Sequence, residues 1–143
     1  MIQDRFKFRI FDKAAGLMSY DVALHSDRVI AKLCDGYIPY TEDRLKDIDL
    51  MACTGIKDKH GNLIYEGDLL APLSEDDNKV IVEWDEKRGR FHLRIEWTDY
   101  AYWNGLYDEV VSGHDYYELD DFYMSEFEVI GNIWETKDEP VEV

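Results

Sequence analysis

The sequence predicts a mainly β protein: a single compact domain with a partly open, barrel-like architecture and short helical insertions. Three observations lead there. Apolar and polar residues alternate with a period of two in several short segments, the pattern of a half-buried strand. Turn-forming Gly, Asp and Asn separate those segments at short intervals. The 143 residues also include ten Tyr, six Phe and four Trp, side chains that suit a pleated, half-buried surface.

The elements follow in order. Phe6, Phe8 and Ile10 alternate with Lys7 and Arg9, which predicts a strand with Arg9 on its solvent side. Asp12-Lys13-Ala14-Ala15-Gly16 turns the chain into Leu17-Met18-Ser19-Tyr20, an N-terminal hairpin. Val22, Leu24, Val29, Ile30 and Leu33 fit short strands broken at Ser26-Asp27 and at Asp35-Gly36, or a partial helix; strands are favoured. Thr41 opens a short helix or turn reaching Ile48, with Thr41 as its cap and acids in its first turn. Val80, Val82 and Trp84, a turn at Asp85-Glu86-Lys87-Arg88-Gly89, then Phe91, Leu93, Ile95 and Trp97 make the clearest hairpin, with Trp84 opposite Phe91. Asp76-Asp77-Asn78 and residues 102–114 read as exposed loops, and residues 116–123 as a loop carrying a short helix. Phe127, Val129, Ile130, Ile133 and Trp134 predict a last strand with a bulge at Gly131. Ser125 and Glu128 match a capping box, but the β-branched run after them argues against a helix. The domain is expected over residues 1–135, followed by an acidic tail at 136–143.

Charge separates the two halves. The net charge is -16, of which -2 falls in residues 1–70 and -14 in residues 71–143. Nucleic acids and anionic membranes are held by basic patches, so neither is an expected direct partner. The acidic half reads as a solvated surface, with a nucleic-acid mimic directed at a host DNA-binding protein as an alternative. The alternating charged start is no signal peptide, and no run reaches the roughly 18 apolar residues of a membrane span. Cys34 and Cys53 give no disulfide framework and fit the reducing cytoplasm of a bacterial host.

Motifs for catalysis are missing. The sequence contains no glycine-rich nucleotide fingerprint, no P-loop, no Gly-x-Ser-x-Gly elbow and no His-Glu-x-x-His. His25, His60, His92 and His114 are too scattered to pair as zinc ligands. Asp108-Glu109, His114-Asp115 and Asp120-Asp121 offer oxygen atoms but not the spacing of a calcium loop. No cofactor and no metal is expected.

The densest signal lies in residues 50–70. Thr54-Gly55-Ile56 closes a strand, and Asp58-Lys59-His60-Gly61-Asn62 turns, with Gly61 and Asn62 suited to positive φ. Leu63-Ile64-Tyr65 begins the next strand, and Glu66-Gly67-Asp68 bends it before Leu69-Leu70. The bland reading is the corner of a small barrel; its rival is a ligand-facing loop with Asp58, His60, Tyr65, Glu66 and Asp68 as polar contacts. The segment from Thr54 to Asp68, together with Lys7-Phe8-Arg9-Ile10-Phe11-Asp12-Lys13 near the start and Phe127-Glu128-Val129-Ile130-Gly131-Asn132-Ile133-Trp134-Glu135 near the end, resembles the three-part signature of the YopX family of phage and prophage proteins. Phe11 stands where that family has Trp, and Trp134 where it has Tyr. The resemblance implies a small β-rich fold and a phage or prophage origin, with Thr54, Gly55, Asp58, Gly61, Tyr65, Glu66, Gly67, Asp68, Gly131 and Asn132 as architectural residues. It supplies no catalytic residue.

Function is therefore expected on the acidic, aromatic second half, in a non-enzymatic protein-interaction or assembly module whose partner is a phage or host protein or a second copy. Trp103, Tyr107, Tyr116, Tyr117 and Tyr123 are the candidate interaction residues, because Tyr and Trp are enriched at interfaces. A small-ligand protein or enzyme with a cleft near residues 102–123 is the remaining alternative.

Overall fold

Strands account for most of the chain, and the sheet they build curls into a half-barrel. The computed structural model describes residues 3–71, 77–103, 106–119 and 126–135, with backbone alone at 77–78, 98–103 and 106–112. The acidic tail at 136–143 lies outside the described residues.

The first sheet joins β1 (Phe8–Asp12), β2 (Leu17–Ser19), β6 (Ile48–Lys57) and β7 (Leu63–Tyr65) in the order β2-β1-β6-β7. The predicted N-terminal hairpin is present, with Ile10 opposite Ser19 and Gly16 closing the turn at φ 68°. The strand starts later than the alternation suggested: residues Asp4–Phe6 form a 3-10 turn and Phe6 is exposed. Arg9 also departs from expectation. It is buried, because β1 is flanked by β2 and β6 and covered on both faces.

The second group comprises β3 (Val22–Leu24), β4 (Arg28–Leu33) and β5 (Gly36–Thr41), a meander broken near the predicted sites. Its second turn differs in detail. Leu33 pairs with Gly36, leaving a two-residue connection whose positive φ falls on Cys34 (53°), not on the glycine. Val29, Ala31, Leu33 and Tyr40 pack with Ile10 and Ile48 of the first sheet as one core. Glu42–Asp47 is a 3-10 turn, and Thr41 occupies its cap position without capping: the Thr41 hydroxyl donates to Asp43 Oδ1 instead.

The third sheet runs β11-β10-β9-β8-β12, with β8 (Asp68–Leu70), β9 (Asp77–Asp85), β10 (Arg90–Trp103), β11 (Leu106–Glu118) and β12 (Val129–Asn132). Val80, Val82, Leu93 and Ile95 point into a second core with Ile64, Leu70 and Phe127. The predicted Trp84–Phe91 pair is present as an edge-to-face contact, ring centres 4.9 Å apart. Cover runs out at Trp84, which is exposed. Two expected loops are strands. Residues 102–103 and 106–114 belong to the long β10–β11 hairpin, and Tyr116 and Tyr117 continue β11. Alternation does not reveal this hairpin because aromatic and acidic residues follow one another there at no single period. Asp77 likewise opens β9 instead of a loop.

Bulges give the sheets their curl, since an extra residue bends a strand and increases its twist. Register shifts fall between Val129 and Gly131, between Glu96 and Trp97, and between Asp99 and Tyr100. The first is the bulge predicted at Gly131. No helix among the described residues is long and apolar enough to cross a membrane.

Candidate functional site

Arg9 on β1 is the centre of the site. Its side chain and that of Asp68 are each 2% exposed, and Nη1 lies 2.8 Å from Asp68 Oδ1. Nη2 donates to the Glu66 carbonyl at 3.1 Å and Nη1 to the Tyr20 hydroxyl at 3.4 Å. The guanidinium carbon lies 4.9 Å from the centre of the Tyr65 ring and 5.9 Å from that of Tyr20, and the two rings meet edge to face. A buried charge needs such partners, because desolvation costs several kcal/mol per ion. One donor is left over: Arg9 Nε is buried with no hydrogen-bond partner among the described residues. Burial pushes the Tyr65 hydroxyl up to about 12, so it stays a neutral donor.

The turn residues hold this arrangement from both sides. Asp68 Oδ2 accepts the Tyr65 amide at 2.8 Å, which ties the bend at Glu66-Gly67. Gly67 takes φ 88° there, a conformation favourable to glycine. Asp58 Oδ1 accepts the amides of His60 and Asn62, and Oδ2 reaches across to the Val129 amide at 3.0 Å, joining the central turn to β12. Burial opposes the Asp58 charge, but the amides of Val129, Asn62 and His60 outweigh it and hold the carboxyl below its usual range. Gly61 has the expected positive φ (81°); Asn62 does not. Asn132 Oδ1 accepts the amides of Trp134 and Glu135 at 2.9 and 2.7 Å. Trp134 stacks on Phe11 at 4.8 Å and donates its indole N–H to Asp49 Oδ2.

These segments enclose a surface cavity of about 680 Å³. Arg9 and Tyr20 come from the first hairpin, Tyr65 and Asp68 from the central bend, and Gly131 and Asn132 from β12. Of the predicted architectural residues, Gly61, Tyr65, Asp68, Gly131 and Asn132 meet there, while Thr54, Gly55, Asp58, Glu66 and Gly67 support it from outside the lining. Thr54 donates to the Ile64 carbonyl, and Gly55 lets the backbone pass close to Arg5. Arg9 and Tyr20 were the residues that sequence patterning did not place here. Arg9 lies within the first motif, which is a usable signal; Tyr20 has none.

The aromatic ribbon forms a separate feature. Tyr116 and Tyr117 are exposed on β11, and the Tyr116 ring contacts His92 and His114. A smaller hollow of about 430 Å³ opens beside them, its lining including Arg88, Arg90 and Glu118. Trp103 and Tyr107 lie at the far end of the hairpin, where only backbone is described, and Tyr123 lies outside the described residues. Several carboxylates of this sheet are paired: Glu118 with Arg90, Glu96 with Arg94, Asp85 with Arg88, and Glu83 with Arg94 and His92.

Little here is poised for covalent chemistry. Cys53 is buried and its thiol is pushed up by burial, away from nucleophilic character. His60 approaches Glu128 at 3.5 Å on an exposed surface. Among the described residues no three His, Cys, Asp or Glu side chains converge as metal ligands.

Fold and site together define a small half-barrel protein whose three sequence motifs meet around a buried ion pair and the cavity beside it. The chain belongs to the YopX family: the family's sequence model, described as YopX protein, matches residues 7–138. Among solved structures, the chain is similar to the crystal structure of protein EF1440 from Enterococcus faecalis, at 22% identity and a TM-score of 0.44, over 90% of this chain and 93% of that one. No curated protein matches it.

Proposed function

We propose that this chain is a phage or prophage accessory protein working in the bacterial cytoplasm as a non-enzymatic protein-interaction module, with the β10–β11 ribbon as its contact surface. One observation carries the reading. Among the described residues, β9 pairs with β10 as far as Trp97, and the backbone of residues 98–103 pairs with β11. A two-stranded ribbon is marginal in water on its own, and among the described residues β11 is the end strand of its sheet. Tyr116 and Tyr117, 52% and 47% exposed, flank that edge. A protein partner, from phage or host or a second copy, gives both the edge and the rings a surface to bury against. The paired carboxylates of Glu83, Glu96 and Glu118 favour this reading over a nucleic-acid mimic, which needs bare rows of negative charge.

The test is a shortened hairpin, with residues 99–111 replaced by a two-residue Asn-Gly turn, beside the double variant Y116S/Y117S. Affinity capture from phage-infected cells and sedimentation velocity are compared with the parent. Loss of a co-purifying protein or of self-association in both variants supports the role. A parent that is monomeric and captures nothing, or a partner retained by both variants, overturns it.

A further inference from the structure

A further hollow, of about 570 Å³, opens between the first and third sheets and shares no residue with β11. Leu50 and Ala52 of β6 line it, and Phe8 stands opposite Ala52 on β1. Trp84 of β9 and Phe91 of β10 line it from the third sheet, and Glu66 of the central bend reaches the same space. We propose that this hollow binds a small aromatic molecule carrying a primary amine, with its ring against Trp84 and its ammonium on Glu66.

Apolar surface comes first. Trp84 is 43% exposed and Leu50 37%, and with Phe8 and Phe91 they line one space, so this is a patch and not a scatter of single side chains. Phe91 holds the Trp84 indole by their edge-to-face contact. A side chain already held in place loses little freedom when a ligand ring packs on it. The volume falls within the range of a small-molecule site, and the lining has the usual make-up of one, apolar for the most part with a few polar groups.

Glu66 then sets the charge. Its side chain is half-buried, and Oε2 accepts the Ala52 amide at 3.4 Å, a long hydrogen bond. Among the described residues no basic side chain pairs with it, and Arg9, whose charge favours it from nearby, is held by Asp68 at 2.8 Å. Burial pushes the Glu66 carboxyl up, and Asp49 adds to the push. A ligand ammonium supplies the missing counter-charge where water screens it little. Arg5, the basic residue in the lining, is exposed, so water screens its pull on an anion. The net charge of -16 also draws cations and repels anions at long range.

The probe is tryptamine, titrated into the intact protein by calorimetry and followed through the amide and indole N–H signals by NMR. Indolepropionate, in which a carboxylate replaces the ammonium, and butylamine, which lacks the ring, serve as comparisons. Saturable binding is expected for tryptamine alone, weakened about tenfold by Glu66→Gln and about fivefold by Trp84→Ala. Unchanged amide signals of β4 and β5, which contribute nothing to the lining, check that each variant is folded. On binding, shifts are expected at the Trp84 indole N–H and at the Ala52 and Glu66 amides, with Tyr116 and Tyr117 unmoved. Equal affinity for indolepropionate, equal affinity for butylamine, binding indifferent to either substitution, or no saturable binding would each overturn the proposal.

Discussion

Arg9 on the first strand and Asp68 after the central bend form an ion pair at 2.8 Å with both side chains 2% exposed, joining segments 59 positions apart. Two of the three family motifs therefore meet in one buried contact. Removing a single partner strands the other charge in a low-dielectric site, which costs about 3–5 kcal/mol. Arg9→Met and Asp68→Asn are each expected to lose stability in that range by urea denaturation. Asp68→Asn also weakens the acceptor for the Tyr65 amide. The double variant should lose clearly less than the sum of the two, since no unpaired charge remains. Strict additivity would mean that the pair is not energetically coupled.

Glycine positions of similar φ are expected to differ in cost. At Gly67 (φ 88°) an added Cβ would meet Met51 Sδ at 3.0 Å and Ile133 Cγ1 at 3.4 Å. At Gly61 (φ 81°) it would meet nothing within 4 Å. Gly61→Ala should therefore cost about 1–2 kcal/mol from backbone strain alone, and Gly67→Ala more, because Met51 is buried and must shift. Thermal melts of the two variants check the order. Equal losses would show that the space around Gly67 yields freely.

How much of this was legible in sequence depends on how local each feature is. The hairpin of Val80, Trp84, Phe91 and Ile95 was readable because alternation and turn chemistry agree within a few residues. The bend at Gly67 and the bulge at Gly131 were readable because glycine marks them. Arg9 was misplaced because alternation assigns faces to an isolated strand, whereas β1 is covered on both sides by elements far along the chain. The β10–β11 hairpin was missed because Tyr, Trp, Asp and Glu follow one another along it at no single period. The cavity is a product of three distant segments, and no single one of them spells it out.

Acid should destabilise the protein through two named carboxyls. Burial opposes the charge of Asp12, but the Tyr40 hydroxyl and the amides of Ala15 and Ala14 outweigh it and lower the carboxyl from 3.8; Asp58 is lowered likewise. The folded chain then binds fewer protons than the unfolded one. This stabilisation is complete above the unfolded value of 3.8 and is lost as pH falls through the lower folded values. Glu66 acts in the opposite sense. Burial raises its carboxyl above 4.5, so its contribution is lost as pH climbs from 4.5 through the raised folded value. Melting temperature should thus fall steeply on acidification below about pH 4, with a shallower fall in Asp58→Asn. Glu66→Gln should stabilise the protein at neutral pH while keeping the acid limb. An unchanged acid limb in Asp58→Asn would remove that carboxylate from the explanation.

Gly113 decides how the ribbon leaves the sheet. It lies opposite Trp97, where the pairing of β9 with β10 ends among the described residues, and an added Cβ would fall 2.8 Å from Trp97 Cζ2. The indole lies across the glycine, a device that lets an aromatic ring cover bare backbone in a neighbouring strand. By strand propensity alone, Gly113→Val is a gain of up to about 1 kcal/mol. Overpacking against the Trp97 ring costs about 1–3 kcal/mol, so a net loss is expected, together with a shift in tryptophan emission as the ring is displaced. Shrinking the ring in Trp97→Leu/Gly113→Val should recover most of the loss, because the new Cβ then has room. A stabilised single variant would show that Trp97 moves without penalty and does not set the course of the ribbon.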